Sequence, residues 1–349
     1  MRLYSYSIPT PIGSFERIGV EVDKHLMDLQ FACAAYARAV DGEDDAYGYA
    51  AFMIPPNMIG YLQRGQRARK LTENILAYVS EESSHGRDIR TPDGERLLFE
   101  FAEVKLLAPV PRPNIVRDCM VFLEHFRENW KRRGIEVPDV FYRRPCWATQ
   151  SGGVVAGTGD PVFIPRYTKQ LDFELELGLY IGRKGINITE ADADSYIAGF
   201  TVFNDISARD VQLDEQQMRM GPSKGKNFEH GSIMGPCLVT PDELDYNNLR
   251  MIARVNGEVV CDDNSKDMYH KFPKIIAQIS EEEYVYPGDF IASGTSPHGT
   301  AMASRLGRWL APGDVVELEI EGIGVIRNEI VQRSAAKRDT QEIRTAIAQ

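Results

Sequence analysis

Glu174 and Glu176 stand two positions apart in the segment LDFELELGLYIG, and Asp205 closes the next apolar run, GFTVFND. Side chains alternate along a strand, so residues i and i+2 share a face. Leu171, Phe173, Leu175, Leu177, Leu179 and Ile181 then form the buried face, and Asp172, Glu174 and Glu176 the other. Two glutamates so placed repel each other unless water or a cation lies between them. A solvated strand face would satisfy the pattern. The second segment favours a cation, because it stays apolar until Asn204–Asp205 and then turns polar with Arg209 and Asp210. Three carboxylates gathered at strand ends make a hard-oxygen site suited to Mg²⁺, Mn²⁺ or Ca²⁺ rather than zinc. Their charge exceeds that of a divalent cation by one. Lys226, in the glycine-flanked turn GKNFEHG, could balance it, or could simply be solvated.

A second constellation lies upstream, in DCMVFLEHFRENWKRRG. His125 and Glu128 are three apart, which on a helix makes them neighbours. A carboxylate beside an imidazole fixes its tautomer and raises its basicity, as a water-activating base requires. The same spacing also describes an ordinary surface pair. The pattern predicts one helix over residues 118–133, with Asp118 two turns before His125, either as an N-cap or as a further metal ligand.

These residues need elements to position them. Residues 3–7 and 17–23 read as short strands, followed by a mostly helical, charge-rich stretch to about residue 88. RTPDGERLLFEFAEVKLLAPVPRPN looks like strand pairs ending in a proline-marked linker, so the boundary falls near 107–113. After the predicted helix comes a loop rich in Gly, Ser and Thr, and then a strongly β pattern: LDFELELGLYIG, IAGFTVFND, MIARVNGEVV, DFIASGTS and DVVELEIEGIGVIRNEI. The turn signals are NGE at 256–258 and PGD at 287–289 and 312–314. Helices are expected near 190–195 and 274–280. The reading is α+β: a small N-terminal α+β domain at 1–106, a strand-dominated domain at 107–331, and a polar helical tail at 332–349.

The 349 residues carry 40 Lys+Arg against 51 Asp+Glu, a net charge of −11. That balance argues against a protein that tracks nucleic-acid phosphates. At 43% hydrophobic and 26% charged the composition is that of an ordinary globular protein. No apolar run is long enough to span a bilayer, and MRLYSYSIPTPIGSFERIGVEV has no apolar h-region of a secretory signal. Five widely spaced cysteines without a CxxC fit reduced thiols in a cytoplasm.

Taken together, these segments resemble the fumarylacetoacetate hydrolase family. The E-x-E strand ending in IG, the turn N-D-x-S-A-R-D-x-Q (Asn204 to Gln212) and the G-K-x-F segment carry the likeness. So do Gly235–Pro236, NGE, PGD before SGTS, and PGD before the G-I-G strand at Gly322–Gly324. The resemblance covers roughly residues 107–331 and implies a mixed β-sandwich roll with a metal at its mouth, usually in a homodimer. It implies that Glu174, Glu176 and Asp205 bind Mg²⁺ (or Mn²⁺ or Ca²⁺), with Asp118 at the spacing of an additional ligand. It further implies that His125 and Glu128 form a catalytic pair, that Lys226 stabilises oxyanion charge, and that Arg209, Gln212, Thr295 and Tyr142 contact substrate. Met120 replaces an aromatic residue, which implies a different pocket. Arg143 and Arg144 could meet a carboxylate, and His298 falls in the substrate loop. The implied activity is hydrolysis of a C–C bond in a 1,3-diketo acid such as an acylpyruvate. Decarboxylation of an oxaloacetate-like 2-oxo acid, keto–enol isomerisation or hydration of a dienoate are the alternatives on the same fold. No nucleic acid or membrane partner is expected.

Overall fold

The alternating run folds as a central strand, Leu175–Ile181, after a short extended pair at Leu171–Asp172. Its parity is the one the sequence dictates. Leu175, Leu177, Leu179 and Ile181 join one core cluster, and Tyr180 joins another on the opposite face. The solvent is not where alternation would put it. Strands Ile197–Asp205 and Phe290–Ala292 flank this one on both edges, and all seven of its residues are buried. The carboxylate-bearing face therefore runs from Tyr180, packed in one cluster with Ala35, Met58 and Tyr61 of the N-terminal helices, to Glu176 and Glu174, 0% and 6% exposed. A solvated face is excluded.

The computed structural model of the chain describes residues 1–333 apart from 133, 135, 219 and 220 and the side chains of 128, 129 and 132. Most of the expected tail lies outside the described residues. Among them the main sheet has twelve strands. Its core order is Gly13–Val22, Arg2–Thr10, Ser232–Val239, Ile197–Asp205, Leu175–Ile181, Phe290–Ala292, Val116–Cys119 and Trp147–Gln150. A five-stranded sheet, built from residues 162–164, 250–264 and 315–332, packs against it. Both sheets mix parallel and antiparallel pairs, as an α+β fold of this class requires. The N-terminal hairpin joins the main sheet directly, with Arg2 opposite Val239. Its helices Leu29–Tyr36, Ala46–Met53 and Met58–Arg64 start at Asp28, Asp45 and Asn57, whose side chains accept hydrogen bonds from backbone N–H groups of the first turn.

The turn signals are realised. Asn256 and Gly257 both adopt positive φ, joining Arg250–Val255 to Glu258–Asn264 as a tight hairpin. The helix expected over 118–133 is corrected. Val116–Cys119 is a strand, parallel to Phe290–Ala292 and antiparallel to Trp147–Gln150, and the helix begins at Leu123. Non-local pairing with residues about 170 positions away overrides the local helical pattern. Asp118 is therefore neither an N-cap nor a helix-face partner of His125.

Candidate active site

Strand register brings the carboxylates together. Asp118 lies opposite Ala292, and Ala292 lies opposite Gly178, two residues along from Glu176. Phe203, two residues before Asp205, lies opposite Glu176. Asp118, Glu176 and Asp205 consequently leave one face of the sheet, and Glu174, just ahead of its strand, turns toward them. One oxygen from each of the four lies within 4.8 Å of the others.

Such crowding is costly without a counter-charge. Burial first, and then the neighbouring carboxylates, push the carboxyl pKa values of Asp118 and Glu176 well above the usual range. Burial raises Asp205 to about 6, although the Lys226 ammonium opposes the rise. Glu174 goes the other way: against the cost of burial, Arg209 and Lys226 hold it down to about 2. The Lys226 ammonium bridges Glu174 and Asp205, and these carboxylates keep it protonated despite its burial. Arg209 donates from Nε to Asp172 (2.7 Å), from Nη2 to Glu174 (2.6 Å) and from Nη1 to Gln212 (2.9 Å). Among the described residues three buried carboxylate oxygens have no hydrogen-bond partner: Asp118 Oδ1, Glu176 Oε1 and Asp205 Oδ1. All three belong to the cluster. Four crowded carboxylates, three of them with an orphaned oxygen, are the donor set a hard divalent cation requires. The fit is good, and it includes Asp118.

The loop Ser293–Ala301 holds the other side of the site. Gly294 N–H donates to Glu176 Oε2 at 3.0 Å, and Ala301 N–H to Asp172 Oδ1 at 2.6 Å. Gly294 has φ +80°, and a Cβ there would lie 2.0 Å from the Cys119 carbonyl oxygen, so only glycine lets this loop close on the strand bearing Asp118. The backbone of Pro297 hydrogen-bonds His125. Burial pushes the His125 imidazole down to about 4, leaving it neutral at neutral pH, although Glu174 opposes the shift.

A cavity of about 460 Å³ opens over the cluster. Its wall includes Asp118, His125, Glu174, Glu176, Arg209, Gln212, Lys226 and Thr295, so most of the expected site converges there. Tyr142 does not. On the helix Asp139–Arg143 its ring packs against the neighbouring Phe141 and against Tyr269, and it is not among the wall residues. The Glu128 side chain lies outside the described residues. Arg143 and Arg144 are exposed and off the wall, and His298 points to solvent with Nδ1 2.8 Å from Asp263. Sequence reasoning missed Gln150, which donates to Asp205 Oδ2 at 2.8 Å and accepts from Ser232. It also missed Asp172 as an anchor of Arg209. Gln150 sits beside a Gly/Ser loop with no pattern to mark it. Asp172 was visible in the alternation, but its partner, 37 residues away, was not.

The geometry agrees with known proteins. The fumarylacetoacetate (FAA) hydrolase C-terminal family matches residues 114–331. The human mitochondrial oxaloacetate tautomerase FAHD2A is 38% identical over 280 residues, covering 80% of this chain and 81% of that protein. Two solved structures share the fold. The fumarylacetoacetate hydrolase of Exiguobacterium antarcticum has a TM-score of 0.65 at 24% identity, over 95% of this chain and 100% of that one. The maleylpyruvate hydrolase of Sphingobium sp. SYK-6 has a TM-score of 0.65 at 22% identity, with the same coverage. A matched family segment spanning more than half the chain, with the cluster, the lysine and the cavity inside it, makes this protein a member of the fumarylacetoacetate hydrolase family.

Proposed function

We propose that the protein is a divalent-metal-dependent enzyme that interconverts the keto and enol forms of a 2-oxo acid. The observation that carries this reading is a neutral His125 that lines one cavity with Asp118, Glu174 and Glu176, beside a four-carboxylate cluster in which Asp118, Glu176 and Asp205 each keep an oxygen without a hydrogen-bond partner. Tautomerisation needs a base, a place for charge on oxygen and little else. The name of a relative 38% identical over four-fifths of both chains points the same way.

Asp118, Glu174, Glu176 and Asp205 would hold the cation. When bound, a divalent cation such as Mg²⁺ supplies Lewis-acid charge for the oxygens of the 2-oxo acid head. His125 accepts a proton from C3 and its electron pair becomes the C2–C3 double bond, while the carbonyl oxygen gains the charge and then a proton. Lys226 offers its ammonium to that oxygen charge. Arg209, anchored on Asp172 and Glu174, keeps Glu174 ionised and positions Gln212. Thr295 and Gln212 contact the substrate.

Hydrolysis of a C–C bond in a 1,3-diketo acid is the second reading. There His125, oriented by Glu128, would draw its proton from water. A cavity of about 460 Å³ favours it by leaving room for an acyl group. Both readings keep residues 107–331 as the catalytic domain, in a cytoplasmic homodimer. The test is to add freshly dissolved enol oxaloacetate and follow its absorbance with EDTA and then with Mg²⁺ restored. Metal-dependent acceleration with oxaloacetate conserved supports tautomerisation. Pyruvate and a carboxylic acid released from acylpyruvates would move the enzyme to the hydrolase reading.

A further inference from the structure

The two ends of the cavity differ in chemistry. The floor is the carboxylate cluster with Lys226 and Arg209, while the outer wall carries Met120, Phe126, Trp130, Leu213, Met302 and Trp309. Three of these are large apolar side chains left open to water: Leu213 is 48% exposed, and Met120 and Met302 are each 41% exposed. Apolar surface gathered at a cavity mouth marks a binding surface rather than ordinary scatter. The aromatic part is organised. Phe126 and Trp130 stand one turn apart on the helix that carries His125, with ring centroids 6.4 Å apart, and Phe126 packs on Phe141 at 5.1 Å. Among the described wall residues the cations are Arg209 and Lys226, and both already answer carboxylates of the protein itself. The arginines of FYRRP are off the wall.

From this we infer that the mouth is an apolar subsite and that the preferred substrate is a 2-oxo acid whose far end is an aromatic or branched alkyl group rather than a second carboxylate. The inference rests on the proposed 2-oxo acid chemistry at the floor and adds the identity of the tail. It sets this enzyme apart from a tautomerase specialised for oxaloacetate, a four-carbon dicarboxylate that would leave most of the cavity empty and bring a second charge to a wall whose described cations already pair with the protein's own carboxylates. With no free cation among the described wall residues, a carboxylate set there gives up hydration for little return, whereas a phenyl or isobutyl group buries apolar area on both sides.

Three unreactive compounds with one head separate tail from chemistry: oxamate, N-benzyloxamate and N-(carboxymethyl)oxamate. Their affinities for the Mg²⁺-loaded enzyme are measured by calorimetry, with tryptophan fluorescence reporting contact at Trp130 and Trp309. The benzyl compound should bind at least about tenfold tighter than either of the others and alone should shift the fluorescence strongly. Met302→Arg places a cation at an exposed position that the fold tolerates. It should reduce the ratio of benzyl to carboxymethyl affinity by about tenfold, and Leu213→Arg, on a different element of the same wall, should do the same. Equal affinities for all three, or tightest binding of the carboxymethyl compound, would overturn the subsite while leaving the proposed chemistry standing. Failure of oxamate itself to bind with Mg²⁺ present would overturn both.

Discussion

In the proposed reaction His125 and the four carboxylates divide the work at the residue scale, and single substitutions separate their roles. Glu174→Ala removes a proposed ligand and the partner of both Lys226 and Arg209, so tight Mn²⁺ binding, read by titration calorimetry, should be lost. His125→Ala should bind Mn²⁺ as the wild type does yet lose about 10²–10⁴ in turnover. Equal loss of metal in both variants would refute the division. Lys226→Ala should keep the metal, since it removes a positive charge from the cluster, and lose about 10²–10³ in turnover. Residue types and spacing were enough to single out Glu174, Glu176, Asp205, His125 and Lys226. Asp118 was found at the right position for a wrong reason: it joins the cluster from a strand, not from a helix. Sequence could not show that the glutamates are fully enclosed, because alternation sets which face a side chain takes but not what covers that face.

Elements decide whether those residues meet. The loop Ser293–Ala301 is pinned to the strand Val116–Cys119 at Gly294, where a methyl group would strike the Cys119 carbonyl. Gly294→Ala should therefore cost about 2 kcal/mol or more by chemical denaturation and weaken metal affinity through Glu176. The turn at 312–314 offers a pH test. Arg308 donates to Asp314 at 2.7 and 2.8 Å, and with help from Ala311 and Asn256 holds its carboxyl down to about 2. A carboxyl held below its unfolded value of about 3.9 stabilises the fold above that pH, and the contribution fades as pH falls through about 2. Asp314→Asn should thus lower stability by about 1 kcal/mol at neutral pH, with the gap between variant and wild type closing under acid. The hairpin at Asn256–Gly257 and the PGD turns were legible because their chemistry is local. Val116–Cys119 was not, because its partners Phe290–Ala292 lie far along the chain.

Across the whole molecule, one sheet joins the N-terminal hairpin to the strands that carry the site, and Tyr180, Phe203 and Phe290 pack into the same cluster as the N-terminal helices. The carboxylates leave the same face a few residues further along. Cation binding at this cluster would therefore be coupled to folding. A cation that relieves the buried repulsion should stabilise the protein by about 2.7 kcal/mol at a free concentration a hundred times its Kd, and EDTA should lower the melting temperature accordingly. Unchanged melting would contradict a cation at the cluster. The family and the β-rich class were readable in the order of short motifs, whereas the join between the two parts of the chain rests on tertiary pairing that no motif encodes. The central claim, metal-dependent removal of a proton from C3 by His125, is tested most directly by proton NMR of a 2-oxo acid in D₂O. With Mg²⁺ the wild type should exchange the C3 protons far faster than the same solution containing EDTA, and metal-loaded His125→Ala should show no acceleration. Exchange indifferent to EDTA, or as fast in His125→Ala as in the wild type, would contradict it.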